Sequence, residues 1–501
     1  MPQQTQQLRE RLAQIQDLTR IAELLEWDQQ TMMPPRGAEL RAEALGTLAR
    51  IHHELLVDAE TGRLLDAASA QLNGDVESDD ARLVRRARRL WNKATKVPTD
   101  LAAELARAGS AGQEAWAAAR SEDDFGAFAP YLERNLELAR RYADCFDEFD
   151  SPYDALLDDY QPQMTAAQVT VLFDQLKAEL VPLIAEAAGH TVDDSLLHAE
   201  VPTAAQRRLV DEIVAVMGFD RQGWRLDDTV HPFAVSFGPD DVRITTRWDE
   251  HYWPTSLFGA MHECGHGLYE AGIGKELQRA TLGQVDSLGL HESQSRLWEN
   301  MVGRSRGFCG VLAPRISELF GGAFAGLDPD ALFRAVNTVR PTLIRIEADE
   351  ATYGLHIVIR FELEQELLNG TLSVAELPEA WNARVHDYLG IEVPSDAKGV
   401  LQDVHWSAGL FGYFPTYALG NMIAGQLWAR VHAELGDLDD QIAAGELGGL
   451  RDWLRENVHR HGSRYTTEEL LERVVGGPIA VDPFVAYLKH KLGDAYGVAL
   501  N

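Results

Sequence analysis

Apolar residues three and four positions apart run through most of the chain, as at Leu8, Leu12, Ile15 and Leu18 and again at Leu101, Leu105 and Ala108. This spacing gives each successive helix one apolar stripe. Such stripes leave water only by packing on one another, so a mainly α fold is expected. Residues 1–190 read as long helices broken at MMPPRG (32–37), LNGD (72–75), KVPTD (96–100) and DSPYD (150–154), where Pro, Gly, Asn and Asp interrupt the pattern. At 501 residues the chain exceeds the usual size of one domain, and two or more helical lobes are expected. The less periodic stretch 189–206 marks the passage from an N-terminal helical region, 1–190, to a second region, 191–501, both parts of one continuous fold. One segment departs from the helical pattern: HPFAVSF (231–237) and VRITTRW (242–248) carry β-branched and aromatic residues on either side of a Gly-Pro-Asp turn signal. It is predicted to form a β-hairpin.

Charge and cysteine usage exclude several classes of function. The chain has 46 basic and 78 acidic side chains, a formal charge of −32, which argues against nucleic acid as a partner and suits peptides or small molecules. Its three cysteines, Cys145, Cys264 and Cys309, are too few and too scattered for a disulfide framework, so a reducing cytoplasm is expected. The N-terminal stretch carries charge where a signal peptide needs an apolar core. No uninterrupted apolar run reaches the roughly eighteen residues of a membrane span, so a soluble protein with no membrane partner is expected.

His262-Glu263-Cys264-Gly265-His266 carries the strongest chemical signal. On a helix, histidines four apart share one face, so two imidazoles can hold one Zn²⁺ while Glu263 stands beside its open position as general base. A catalytic zinc keeps three protein ligands, so a third is needed. The pattern that supplies a later histidine fails, because Tyr269 and Gly272 occupy the places where Gly and His belong. Glu292 is the remaining solution, 292 − 266 = 26 residues beyond His266, far enough for a loop and a return helix. Glu299 and Glu270 compete with it, although both also read as solvated helix charges. His291, adjacent to Glu292 on a helix, points about a hundred degrees away and suits packing or support of a ligand. Cys264 reads as a small buried residue. His52-His53-Glu54 and His459-Arg460-His461 read as ordinary helix-surface or helix-end residues.

With HPF at 231–233, Asp241-Val-Arg243-Ile-Thr245, His291-Glu292-Ser293-Gln294, Ile344-Arg345-Ile-Glu-Ala348-Asp349 and Gly399-Val-Leu-Gln402-Asp403-Val-His405-Trp406, the sequence resembles the carboxypeptidase Taq family of thermostable zinc metallocarboxypeptidases over nearly its whole length. The resemblance implies a large helical metallopeptidase fold with a deep cleft and a small β-hairpin or sheet beside the active site. It also implies a homodimer, one catalytic metal per chain, and release of single amino acids from the free C-termini of peptides with broad preference. Zinc fits a His, His, Glu site, and cobalt or manganese could occupy it. Many glutamate-ligand zinc peptidases place an Asp four residues after the ligand to orient a histidine. Here Arg296 stands in that place, so the acceptor must come from elsewhere, with Asp349 as a candidate.

Peptide hydrolysis also needs a donor for the oxyanion. His405 and Tyr417 are similar to the His and Tyr pairing of other helical zinc peptidases, with Tyr413 as the alternative phenol. Recognition of a terminal carboxylate suits a sheltered guanidinium. Arg345 is the first candidate, drawn from a stretch in which Arg345, Asp349, His356 and Arg360 could share a helix face. The plain alternative is a solvated stripe with an Arg345–Asp349 surface pair. Arg243 on the hairpin is the second candidate, and the hairpin edge could pair with substrate backbone. Two other functions compete: a helical zinc oligopeptidase cutting internal bonds, and a non-catalytic scaffold with a vestigial motif. The intact Glu263 argues against the scaffold.

Overall fold

The computed structural model of the protein describes residues 3–500. Its first helix, Gln3–Thr31, stops before the 3₁₀ turn Pro35–Gly37, Ala59–Gln71 stops before Asn73 at φ 49°, and Asp79–Lys96 gives way at Pro98 to Thr99–Glu122. A short helix, Pro152–Leu157, starts at the fourth break, with Ser151 capping it through the Asp154 amide. All four breaks thus coincide with residues that stop helices or start them.

The first helices bury Leu8, Leu12, Ile15, Leu64, Leu65, Leu83, Val84 and Ala87 in a small core of their own, which Ile273, Leu277 and Leu282 complete from the other half of the chain. A much larger core runs from Ala119 to Ala495 and draws residues from both sides of position 190. Two helices at its centre, Glu350–Asn369 and Pro415–Leu435, are buried on nearly every side. Their sequences show little amphipathic pattern for that reason.

The predicted hairpin is present as β2 (Ala234–Gly238) and β3 (Asp241–Thr246), paired antiparallel. A third strand, β1 (Trp224–Asp228), lies parallel to β3 and makes the sheet order β1-β3-β2. β1 was not foreseen, because Trp-Arg-Leu-Asp-Asp carries two aspartates, which are depleted in strands; the ladder to β3 holds it. The sheet lies against the helix Pro254–Gly272. Thr246 Oγ1 donates to the Ser256 carbonyl at 2.9 Å, and a Cβ at Gly267 would stand 2.6 Å from the Trp224 ring.

The helix Leu288–Arg296 sits between Pro254–Gly272 and Pro415–Leu435, closer than side chains allow. A Cβ at Gly265 would lie 2.8 Å from both the Gln294 carbonyl oxygen and Ser295 Cα, and one at Gly420 would lie 2.8 Å from Glu292 Cβ. Past Arg296 the same helix widens into a π turn, Leu297–Val302, a feature often found at functional sites.

Candidate metal centre and its surroundings

The Pro254–Gly272 helix is buried along most of its length, and between Met261 and Glu270 only His262, His266 and Glu270 are partly exposed. They are spaced four apart, so they form one partly exposed stripe. Glu292 reaches that stripe from the neighbouring helix: its Oε2 is 3.5 Å from His262 Nε2 and 3.4 Å from His266 Nε2. Among the described residues, His262, His266 and Glu292 form the one cluster of three candidate ligands, with their ligand atoms all within 4.8 Å of one another.

The surroundings orient these groups and set their charge. Glu299 Oε2 lies 2.9 Å from His262 Nδ1, leaving Nε2 to face Glu292. Arg296 Nε donates to Glu292 Oε1 at 2.7 Å, and Ser295 Oγ donates to Oε2 at 3.1 Å. The His291 ring stacks on His266 at 4.1 Å, and its Nε2 is 3.0 Å from Glu270 Oε1. Burial opposes the charge on Glu292, but Arg296 and His262 hold its carboxyl well below the ordinary range. Burial likewise opposes the imidazolium of His262, yet the carboxylates of Glu292 and Glu299 hold it up at about 9. The cluster therefore stabilises positive charge where the donors converge. Burial, with His291 beside it, lowers His266 to about 3 and keeps it neutral as a ligand must be. Two nitrogens, one ionised carboxylate and a field that favours a cation fit a divalent metal. Glu263, next to His262 and 6% exposed, is pushed up to about 7 by burial.

A second group lies within reach of the Glu292 charge. His405 Nε2 is 3.3 Å from the Tyr417 hydroxyl, and the Tyr413 ring lies 5.4 Å from the rings of both His405 and Tyr417. Burial first, then the charge of Glu292, pushes the Tyr413 phenol up. The Arg345 guanidinium lies 5.0 Å from the centre of the Tyr417 ring. It donates through Nε and Nη2 to Asp403 Oδ1 at 3.0 and 2.8 Å and through Nη1 to the Tyr353 hydroxyl at 2.9 Å. Arg360 Nε donates to the other Asp403 oxygen at 2.7 Å. One aspartate thus faces two arginines, and one positive charge remains in excess beside His405. Burial and these arginines lower His405 to about 4, so its ring is neutral at neutral pH.

Residues 7–492 match the carboxypeptidase Taq (M32) metallopeptidase family. The chain belongs to that family. It is 44% identical to thermostable carboxypeptidase 1 of Thermus thermophilus, covering 96% of each chain. It is 37% identical to carboxypeptidase 1 of Bacillus subtilis, covering 97% of each. Its fold superposes on the crystal structure of the M32 carboxypeptidase from Deinococcus radiodurans R1 with a TM-score of 0.95 at 40% identity, over 99% of this chain and 100% of that one. The enzyme is a metal-dependent carboxypeptidase, a hydrolase of peptides. None of its described helices is long and apolar enough to cross a membrane.

Several groups lie elsewhere than the sequence suggested. Asp349 orients no histidine and does not pair with Arg345; it caps the Glu350–Asn369 helix, accepting from the amides of Ala351 and Thr352 at 3.0 Å each. Arg345 sits before that helix, in the 3₁₀ turn Arg345–Glu347, so the proposed common helix face does not exist. The carboxylate on His262 comes instead from Glu299, whose position seven residues after Glu292 was the available signal, since seven residues are nearly two helical turns. Arg243 pairs with Asp241 at 3.0 Å and lies 4.4 Å from the Trp27 ring centre, joining the sheet to the first helix. His459 stands at a helix end, in the 3₁₀ turn His459–His461, but it is buried, with Nε2 2.8 Å from Gln294 Oε1, and does not lie on the surface.

The loop bearing His405 is held by buried donors and acceptors. Asn135 Nδ2 donates to the carbonyls of Trp406 and Ser407 at 2.9 Å each. Glu364 accepts from Tyr153 at 2.8 Å, Trp406 Nε1 at 2.8 Å and the Gly412 amide at 3.2 Å.

Two predictions follow from this packing. Helix propensity alone favours Gly265→Ala by about 1 kcal/mol, but the new methyl would press on backbone, which cannot rotate away. The Glu292 helix must then retreat, and divalent-metal affinity measured by chelator competition should fall about tenfold or more; unchanged affinity with a higher melting temperature would contradict this. Burial pushes Glu364 up to about 7 against an ordinary 4.5, so its protonated form stabilises the fold below the lower value and that stabilisation is lost as pH rises through the higher one. Glu364→Gln lacks the loss. The variant's melting temperature should therefore gain on the parent's between about pH 5 and pH 8, and a constant difference would show that Glu364 stays ionised throughout.

Proposed function

We propose that the enzyme releases single amino acids from the free C-termini of peptides, using one zinc ion held by His262, His266 and Glu292, with Glu263 as general base. The convergence of these three donors beside a buried glutamate, in a chain of this family, carries the proposal. When bound, the ion supplies Lewis acidity toward the scissile carbonyl and acidifies water. Cobalt or manganese would satisfy the same donors.

Glu263 takes a proton from the attacking water and passes it to the leaving amine. Its burial supports this role, because a carboxylate raised toward neutrality both accepts and returns a proton readily. The Tyr417 hydroxyl, aligned by His405, donates to the oxyanion, and Tyr413 is the adjacent alternative. The excess positive charge of Arg345 and Arg360 over Asp403 supports a receptor for the terminal carboxylate, with Arg345 as its contact. Arg243 is tied to Asp241 and Trp27 and is the weaker candidate. A homodimer in the cytoplasm completes the reading, supported by the family resemblance and by three free cysteines.

Removing the metal with a chelator should abolish hydrolysis, and Zn²⁺ or Co²⁺ should restore it. Glu263→Gln should keep stoichiometric metal while turnover falls by orders of magnitude, whereas Glu292→Ala should lose metal; metal retained in the Glu292 variant at full activity would exclude that ligand. Amidating the substrate's C-terminus removes a charge-assisted contact of about 1.5–3 kcal/mol, roughly ten- to a hundredfold in kcat/KM. Arg345→Ala should erase that discrimination without releasing metal. Discrimination that survives the substitution would move the role to another arginine.

A further inference from the structure

The sequence singled out no chemistry after His461, yet a buried cation near the end of the fold reaches the metal side of the site. Lys491, on the helix Asp482–Tyr496, is 6% exposed. Its ammonium donates to Glu350 Oε2 at 2.7 Å, to the Tyr487 hydroxyl at 3.0 Å and to the Asn300 carbonyl at 3.1 Å. Three donors thus meet three acceptors.

Asn300 lies inside the π turn Leu297–Val302, next to Glu299. The Gly303 amide reaches back five residues to the Trp298 carbonyl at 3.0 Å, and the extra residue in that turn shifts the side chains along it around the helix axis. Glu299, so placed, bonds His262 and is flanked by Arg296 and Arg304, each 3.3 Å away. Glu350 opens the helix that carries Tyr353. That ring lies 4.3 Å from the Arg296 guanidinium, and its hydroxyl accepts from Arg345. The contacts close on themselves: Glu299 to Arg296, to Tyr353, one turn back to Glu350, to Lys491, and to Asn300 beside Glu299. Lys491 is the member that joins the π turn to the helix opposite.

We propose that Lys491 is a positioning residue for the metal, pinning the π turn so that Glu299 holds the His262 ring in its ligating orientation. This rests on the assignment of His262 as a ligand oriented by Glu299. A buried ion pair that served stability alone would lower the melting temperature without touching metal affinity, and the two roles are separable.

The experiment is a double-mutant cycle on the full chain, with Zn²⁺ affinity read by chelator competition well below the melting transition and the melting temperature of the metal-free protein as control. Glu299→Gln alone should weaken zinc binding about tenfold or more. Lys491→Met should weaken it several-fold, and Lys491→Gln, which keeps an N–H donor for the Asn300 carbonyl, should weaken it less. In the Glu299→Gln background both Lys491 substitutions should cause little further loss. If Lys491→Met fails to fold, Lys491→Gln and Glu350→Gln carry the same cycle, each expected to weaken zinc binding measurably only while Glu299 is intact. Zinc affinity within twofold of the parent in all foldable Lys491 and Glu350 variants would overturn the proposal and leave a stabilising pair. Losses that multiply with Glu299→Gln would also overturn it, by showing a route that bypasses Glu299. No effect of Glu299→Gln itself would instead refute the underlying assignment at His262.

Discussion

Three helices meet so closely around Glu292 that only glycine fits at the contacts, Gly265 on one side and Gly420 on the other. The distance from the third donor to the histidine pair is therefore set by backbone against backbone. A long side chain that reached for the metal from a looser helix would have many rotamers to lose and would place its oxygen less accurately. Here the Glu292 helix cannot approach further, and it cannot retreat without opening a void in the main core. The two glycines weaken their own helices in isolation and tighten the site as a whole.

The same economy governs the charges. The ionised groups near the donors are buried or half-buried, and each has an opposite partner: Glu292 with Arg296, Glu299 with Arg296 and Arg304, Asp403 with Arg345 and Arg360. Such pairs add little net stability, because desolvation offsets their attraction, but removing one partner costs about 3–5 kcal/mol. Their contribution is to specify where each side chain points. Two places are left uncompensated, the cation-favouring point between the donors and the excess guanidinium charge beside His405. These are where a metal and a substrate anion have something to neutralise.

What was legible in the sequence followed from periodicity and from local stops. The helical fold, its four early breaks and the hairpin are written in residues that act over a few positions, as is the pairing of His262 with His266 on one helical face. The place of Glu292 beside that pair was reachable because a metal held there would demand a third donor. Glu299 was harder, since a glutamate two turns further along looks like a solvated charge unless the π turn and the arginines around it are known. The misplaced face of Arg345 and Asp349 has a different origin: an aspartate at a helix cap looks the same in sequence as one inside a helix, and only the start of the helix at Glu350 distinguishes them. β1 depends on a ladder partner some twenty residues away, and the burial of His459 depends on Gln294, so neither had a local signature.

The small core of the first helices has one further property. Its members up to Ala87 are made early, but Ile273, Leu277 and Leu282, which complete it, come at least 273 − 87 = 186 positions later. At a synthesis rate of about 5–20 residues per second, the ribosome takes roughly 10–40 s to deliver them. Over that interval the apolar stripes of the nascent helices can only cover one another or be shielded by a chaperone. The N-terminal region is thus made first and finished late, and the burden of staying soluble falls on the young chain before there is a catalyst to protect.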